Sequence, residues 1–229
     1  MPKRYVITDI HGCSGTFQKL LREQVKPKKE DEIYLLGDYV DRGPDSKGVL
    51  DIIFEMQQEG YTIKCLRGNH EQFLLDALED RRFEMHWLDN NGGAEALASF
   101  GVDSVHAIPS KYIQFIENLP YFFELPEYFL VHAGFNFKAE RPFEDKEAML
   151  MIRNFPVDNQ LLKGKKIIHG HTPTPLHKIK TTLDEELTVK INLDAGCVYK
   201  DALHMGYLVA LELNAWQLMV EPCIDPVNS

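Results

Sequence analysis

Residues 37–43 read Gly-Asp-Tyr-Val-Asp-Arg-Gly, which is more chemistry than a turn needs. The two oxygens of Asp38 can bridge two cations. Asp41 is placed to hold a nearby histidine in one tautomer, and Arg42 offers a planar fork of donors that suits a phosphate. Gly68-Asn69-His70-Glu71 adds an amide oxygen for a metal and an imidazole able to protonate a leaving group. Glu71 would open the next helix, where a carboxylate satisfies free backbone N–H groups. Arg67, just before, reads either as a framework ion pair or as a ligand contact. Asp9-Ile10-His11 sets a carboxylate and an imidazole two residues apart, so both can face one ion on an extended chain. His132, in Val-His-Ala-Gly, and His171, in Gly-His-Thr-Pro, form an imidazole pair, although each could be a core histidine. Together these clusters supply the carboxylate, amide and imidazole ligands of a two-metal hydrolytic centre.

Each cluster closes a short apolar run. Tyr5-Val6-Ile7 leads to Asp9, Ile33-Tyr34-Leu35-Leu36 to Asp38, and Ile63-Lys64-Cys65-Leu66 to Asn69. Tyr128-Phe129-Leu130-Val131 runs into His132, and Lys166-Ile167-Ile168 into Gly170-His171. Such runs, rich in β-branched and aromatic side chains, read as buried strands. In open α/β sheets ligands collect at the carboxyl ends of the strands, so all five clusters are expected on one edge of one sheet. Between them lie helix signals: Ser14 as a cap before Phe17, Leu20 and Leu21, and Asp45-Ser46 before Val49, Leu50, Ile52, Ile53 and Met56. The order β-α-β-α-β predicts a largely parallel sheet through about residue 80. Residues 71–118 read as a helical insertion whose Phe83, Trp87 and Phe100 either stack a base or fill a core. Beyond it, strands are predicted at 121–124, 128–131, 167–169, 187–193, 207–213 and 216–220, with 146–153 the one helix. No linker or repeat divides the chain, and 1–229 reads as one α/β domain.

Composition narrows the function. A formal charge of −10 opposes nonspecific binding to nucleic acid or an acidic membrane surface. Two divalent cations would nevertheless set +4 against the −2 of Asp9 and Asp38, a positive hole that can hold one phosphate. No apolar run approaches the roughly 18 residues of a membrane span, and Met1-Pro2-Lys3-Arg4 enters a strand without a leader-like stretch, so a cytoplasmic address is expected. Cys13, Cys65, Cys197 and Cys223 lie far apart without a CxxC pair, which disfavours a zinc knuckle or disulfide framework. They read as small buried hydrophobes, except that Cys13, two residues after His11, is open to oxidation if exposed. His86, His106, His177 and His204 lack partners in sequence, and His169 would share a side with His171. Pro226-Val227-Asn228-Ser229 reads as a frayed end.

The ordered set Asp9-x-His11-Gly12, Gly37-Asp38-x-x-Asp41-Arg42-Gly43, Gly68-Asn69-His70-Glu71, His132 and Gly170-His171 resembles the metallophosphoesterases of the serine/threonine protein phosphatase type, over residues 5 to about 200. The resemblance implies two mixed sheets packed face to face with helices outside, a four-layer α/β/β/α sandwich. It implies Asp9, His11 and Asp38 on one metal, with Asp38 shared to a second that Asn69, His132 and His171 complete. Arg42 would clamp the phosphate, Arg153 would be a second clamp, and His70 would be the general acid oriented by Asp41. The implied cofactors are two divalent ions, manganese first with iron or zinc as options, and the implied nucleophile is a hydroxide bridging them. The substrate would be a phosphoprotein or a phosphorylated small molecule. Thr8 stands where the family usually has Gly, a change expected to cost little. Leu193-Asp194-Ala195-Gly196-Cys197-Val198-Tyr199 looks like the compact bacterial and phage members. That branch includes bis(5'-nucleosyl)-tetraphosphatases, so a dinucleoside polyphosphate is the alternative substrate. Retention of every ligand, the clamp and the acid argues against a noncatalytic binding module.

Overall fold

Alternate residues of the central strands are buried on opposite faces, so each sheet needs cover on both sides. In the computed structural model, which describes residues 2–227, the strands in chain order are β1 (Arg4–Ile7), β2 (Glu32–Leu35), β3 (Thr62–Cys65), β4 (Phe122–Glu124), β5 (Tyr128–Val131), β6 (Lys166–His169), β7 (Lys190–Asn192), β8 (Tyr207–Glu212) and β9 (Gln217–Pro222). The helices are α1 (Ser14–Lys19), α2 (Ser46–Gln58), α3 (Asn69–Glu79), α4 (Arg81–Asn90), α5 (Gly93–Phe100), α6 (Ser110–Glu117), α7 (Lys146–Met151), α8 (Asn159–Leu162) and α9 (Leu176–Asp184).

All five site-bearing runs are strands, but they divide between two sheets and do not share one. The first sheet has the order β3-β2-β1-β8-β9 and the second β4-β5-β6-β7. Strands β1, β2 and β3 are parallel, with Ile7 level with Leu35 and Leu35 level with Cys65, so the loops carrying Asp9, Asp38 and Asn69 leave from one edge. In the second sheet β5, β6 and β7 are parallel, with Leu130 level with Ile168 and Ile168 with Ile191. The loops of His132 and His171 therefore leave together as well. Antiparallel pairs occur only where β8 and β9 extend the first sheet and β4 the second.

Period-two patterning then fixes the layers. Val6, Tyr34, Leu36 and Leu66 pack against Leu130, Ile168, Ile191 and Leu193 between the sheets. On the reverse face of the first sheet, Tyr5, Ile7, Ile33 and Leu35 meet α1, α2 and the insertion helices α3 to α6. Phe129, Val131 and Ile167 on the outer face of the second sheet meet Phe135, Met149 and Phe155. The result is the four-layer α/β/β/α sandwich, each buried side chain of this size contributing about 1.5–3 kcal/mol.

Local departures have local causes. Asp45 caps α2 as expected, accepting from Gly48 N at 2.9 Å. At α1 the cap position is Cys13, and Ser14 Oγ instead donates to that same Asp45 at 2.6 Å. The helix 146–153 stops at Met151, and α8 and α9 occur where no element was expected. Strand β7 is confined to 190–192, with Leu187 fully exposed. The chain end is anchored as far as Val227: Asp225 accepts from Gly15 N and from both N and Oγ1 of Thr16, and Val227 is buried. Asn228 and Ser229 of the expected frayed end lie outside the described residues, as does Met1.

The loop after β2 is held from across the sheet edge. The buried Glu71 carboxylate accepts from Asp38 N and Tyr39 N at 2.7 Å, Gly68 N at 2.8 Å and Val40 N at 3.3 Å. It thus serves the helix start, as the sequence suggested, and also the preceding loop. Glu71→Gln would turn an amide N–H₂ toward at least one of these donors, and an unsatisfied buried donor costs about 1–3 kcal/mol. Urea unfolding should show a loss of roughly 2–4 kcal/mol; a midpoint unchanged from the parent would remove Glu71 from this role.

Candidate dimetal centre

Six residues of the site hold a left-handed backbone that L side chains rarely adopt: Asp9 (φ 53°), His11 (46°), Asp38 (55°), Asp41 (72°), Arg42 (68°) and His171 (72°). Only four other non-glycine residues among those described do so, and such strain concentrates where function fixes geometry. Gly37 makes the turn possible, since a Cβ there would lie 2.5 Å from Gly68 N. Gly170 similarly lets Asp9 approach the second sheet, for a Cβ would lie 1.9 Å from Asp9 Oδ2.

Asp38 sits at the centre. Its Oδ2 is 3.5 Å from His11 Nε2 and its Oδ1 is 3.5 Å from His132 Nε2. One carboxylate therefore faces two imidazoles from two sheets, one with each oxygen. His11 Nδ1 lies 3.1 Å from the carbonyl of Val40 and His132 Nδ1 lies 2.9 Å from that of Leu36. A carbonyl only accepts, so both Nδ1 atoms carry the proton and both Nε2 lone pairs face the site. Asn69 Oδ1 lies 2.9 Å from His132 Nε2 and 2.8 Å from His171 Nδ1. Donor atoms of His11, Asp38 and His70 lie within 4.8 Å of one another, as do those of Asp38, His132 and His171. Asp9 falls outside both triads. Its carboxylate accepts the His171 N–H at 3.0 Å and the Thr8 hydroxyl. Thr8 is thus a hydrogen-bond partner of the site, beyond being a tolerated replacement for Gly.

Burial sets the electrostatics. It holds the imidazoles of His11, His70 and His132 below their ordinary range and brings His171 to about 3, so that His11, His132 and His171 each offer a neutral lone pair. Burial first, and then the charge of Asp9, push the Asp38 carboxyl well above the carboxylate range. Two desolvated carboxylates among neutral imidazoles have the Arg42 guanidinium as their fixed positive charge, and divalent cations match both the remaining deficit and the donor set. Asp194, a buried carboxylate not singled out in the sequence, adds to it and is itself raised by burial and by Asp9.

His70 Nδ1 lies 2.8 Å from Asp41 Oδ2, while its Nε2 is buried without a partner. Trp87 Nε1 of α4 donates to the same Asp41 oxygen at 2.8 Å. Trp87 is therefore neither base-stacking nor merely core; the signal was that a buried indole N–H must find an acceptor. Burial pushes His70 down and Asp41 up, disfavouring a lone charge on either, so a single proton shared by the pair suits the site. Arg42 Nη1 reaches within 2.9 Å of His11 Nε2, and its guanidinium lies 5.8 Å from the ring centroid of Tyr199. Arg153 is exposed, two residues past α7, and its charge is felt at His171.

Other candidates fall outside this cluster. Arg67 donates to Gln72, Tyr121 and the Glu117 carbonyl, a framework role without an ion pair. His169 bonds the Gly170 carbonyl and packs on Phe155. Phe100 packs on Tyr112, and Phe83 is exposed.

The model of the calcineurin-like phosphoesterases matches residues 2–199. Serine/threonine-protein phosphatase 1 of Salmonella typhimurium is 40% identical over 88 residues, 38% of each chain. The symmetrical bis(5'-nucleosyl)-tetraphosphatase of Buchnera aphidicola is 38% identical over 71 residues, 31% of this chain and 25% of that one. The matches thus span less than two fifths of these relatives' own length. Among solved structures, a putative diadenosine tetraphosphatase superposes with a TM-score of 0.64 at 22% identity, covering 97% of this chain and 96% of the other. A serine/threonine phosphatase from Saccharomyces cerevisiae gives 0.64 at 17%, covering 100% and 81%. At these identities the structures share the fold, whereas the family model spans most of the sequence together with the site's three N-terminal motifs, His132 and His171: the chain belongs to the calcineurin-like phosphoesterase family.

Proposed function

We propose that this metallophosphoesterase is a serine/threonine protein phosphatase, hydrolysing phosphomonoesters with residues 2–227 acting as one catalytic domain. The observation that carries the reading is Asp38, turned with one oxygen to His11 and the other to His132. Asp9, His11 and Asp38 would hold one metal, and Asp38, Asn69, His132 and His171 the other. Two divalent ions bound there, with manganese the working choice from the resemblance, would supply Lewis-acid charge and lower the pKa of water held between them.

The chain's own residues do the rest. The Arg42 fork, beside the cluster at His11, would take the non-bridging oxygens of the phosphate as negative charge grows on them. Arg153 would add a second, exposed cation from the surface. His70, with Nδ1 committed to Asp41, would present Nε2–H to the departing alkoxide. Trp87 keeps Asp41 from turning away.

The relatives' names divide between phosphoprotein and dinucleoside polyphosphate substrates, and a groove of about 650 Å³ beside Arg42 favours the first. It runs between α4–α5 and the 198–202 loop, and its charged lining besides Arg42 is Asp89, Glu95 and Asp201. A dinucleoside tetraphosphate would lay further phosphates near these carboxylates. A peptide with Lys or Arg beside its phosphoresidue would meet opposite charge, and Tyr199 and Val198 offer it apolar contact.

His70→Asn should cut kcat on alkyl phosphates by roughly 10²- to 10⁴-fold and much less on p-nitrophenyl phosphate, whose leaving group departs unprotonated; equal losses on both would rule out proton donation. Asp89→Lys combined with Glu95→Lys should lower kcat/KM for a basic phosphopeptide by about five- to tenfold relative to that for p-nitrophenyl phosphate. If the parent protein turns over diadenosine tetraphosphate faster than that phosphopeptide, the alternative substrate replaces the one proposed.

A further inference from the structure

Three cysteines that are remote in sequence meet on the far side of the His11 loop. Cys13 caps α1, Cys197 lies between β7 and β8, and Cys223 follows β9; their sulfurs all lie within 4.8 Å of one another. This corrects the expectation of scattered, independent thiols, which holds only for Cys65. Cys13 and Cys197 are buried and Cys223 is half-buried, so the group has one member on the solvent side.

The spacing discriminates between uses. Three thiolates around one ion at roughly 2.3 Å stand about 3.8–4.0 Å apart, and Cys13 Sγ and Cys223 Sγ are already 3.9 Å apart. A disulfide would require the same pair to close to about 2.05 Å. The surroundings are also fixed. The Asp225 carboxylate, which might otherwise serve as a ligand, is taken up by Gly15 and Thr16 and pins the chain on either side of the cluster. Cys223 N donates to the Gly206 carbonyl at 2.8 Å, tying its strand end to the loop that carries Cys197.

We propose that Cys13, Cys197 and Cys223 form a second metal site, chemically distinct from the oxygen- and nitrogen-rich centre, for a thiophilic cation of the zinc and cadmium class. Each sulfur binds as thiolate, so every thiol that enters protonated releases one proton to solvent and no electrons move. The sulfur contacts lower the Cys223 thiol, whereas contact with Cys223 and burial raise those of Cys13 and Cys197, so two of the protons leave only as an ion takes their place. The bound ion would cross-link the loop after His11, the loop after Asp194 and the C-terminal segment, a structural clamp behind the catalytic face.

Cadmium is the probe, added to protein held in excess Mn²⁺. Ultraviolet cadmium–thiolate charge-transfer absorption should rise and saturate at one equivalent per chain. It should be lost in Cys223→Ser and Cys197→Ser and retained in Cys65→Ser, with far-ultraviolet circular dichroism showing that each variant is folded. Zinc should raise the Tm of the parent more than that of Cys223→Ser. The proposal fails if no such band develops, or if it survives in Cys223→Ser. It also fails if the isolated protein has lost two titratable thiols and two hydrogens in mass, which would make the cluster a disulfide.

Discussion

Every backbone N–H from Asp38 to Gly43 has a partner, and the accounting starts from one buried carboxylate. Glu71 takes those of Asp38, Tyr39 and Val40, Ser46 Oγ takes Asp41, the Gly92 carbonyl takes Arg42, and the Asp41 carbonyl takes Gly43. A loop carrying three left-handed non-glycine residues stores on the order of 1–3 kcal/mol at each. It keeps that shape because releasing any N–H into the interior would cost a comparable amount. Since Glu71 also bonds Gly68 N, the same carboxylate locks the loop of Asp38 to the start of the helix bearing Asn69 and His70. Donors from two strand ends are thereby fixed relative to each other without help from a ligand.

Charge is organised on the same principle. Asp9, Asp38, Asp41, Glu71 and Asp194 are all buried around one edge of the two sheets. Glu71 is the one met by four backbone N–H groups. Asp41 is shared between His70 and Trp87, whereas Asp9 and Asp38 face mainly imidazoles that burial keeps neutral. Asp194 adds a third buried carboxylate beside Asp9 and Asp38, and Arg42 is a cation felt by all three. On the proposed reading, this local balance bears on the approach of a phosphate more directly than the net charge of −10 does.

The parts of this arrangement legible in the sequence were those written in contiguous residues. Strands β1, β2, β3, β5 and β6 were readable because buried β-branched runs end abruptly at Gly or Asp. Their division between two sheets was not, because a strand covered on both faces looks the same in either. Helix α9 was missed although Leu176, Ile179 and Leu183 lie at i, i+3 and i+7; paired threonines and a single fully buried residue made the stripe faint. The metal-capable residues were legible by type and order. What supports them was less so: Glu71 suggested a helix cap but not the loop it also holds, and the Trp87–Asp41 contact spans 46 positions. The cysteine cluster depends on β9 returning beside the first loop, which no local pattern encodes.

The insertion does more than cover the first sheet. Within one turn, Trp87 bonds Asp41 and the Gly92 carbonyl receives Arg42 N–H. Gly93 lies so close over the indole that a Cβ would stand 2.3 Å from it, and a Cβ on Gly92 would stand 2.2 Å from Arg42 N. Residues 87–93 are thus wedged against the His70–Asp41 pair on one side and Arg42 on the other. Asp89, which lines the groove, belongs to this stretch, and Glu95, which also lines it, follows two residues beyond. A substrate that moved this segment would shift His70 and Arg42 in concert, through two hydrogen bonds and two contacts that admit no side chain. On the proposed reading, contacts made in the groove and the placement of His70 and Arg42 therefore share one mechanical element, the helical insertion.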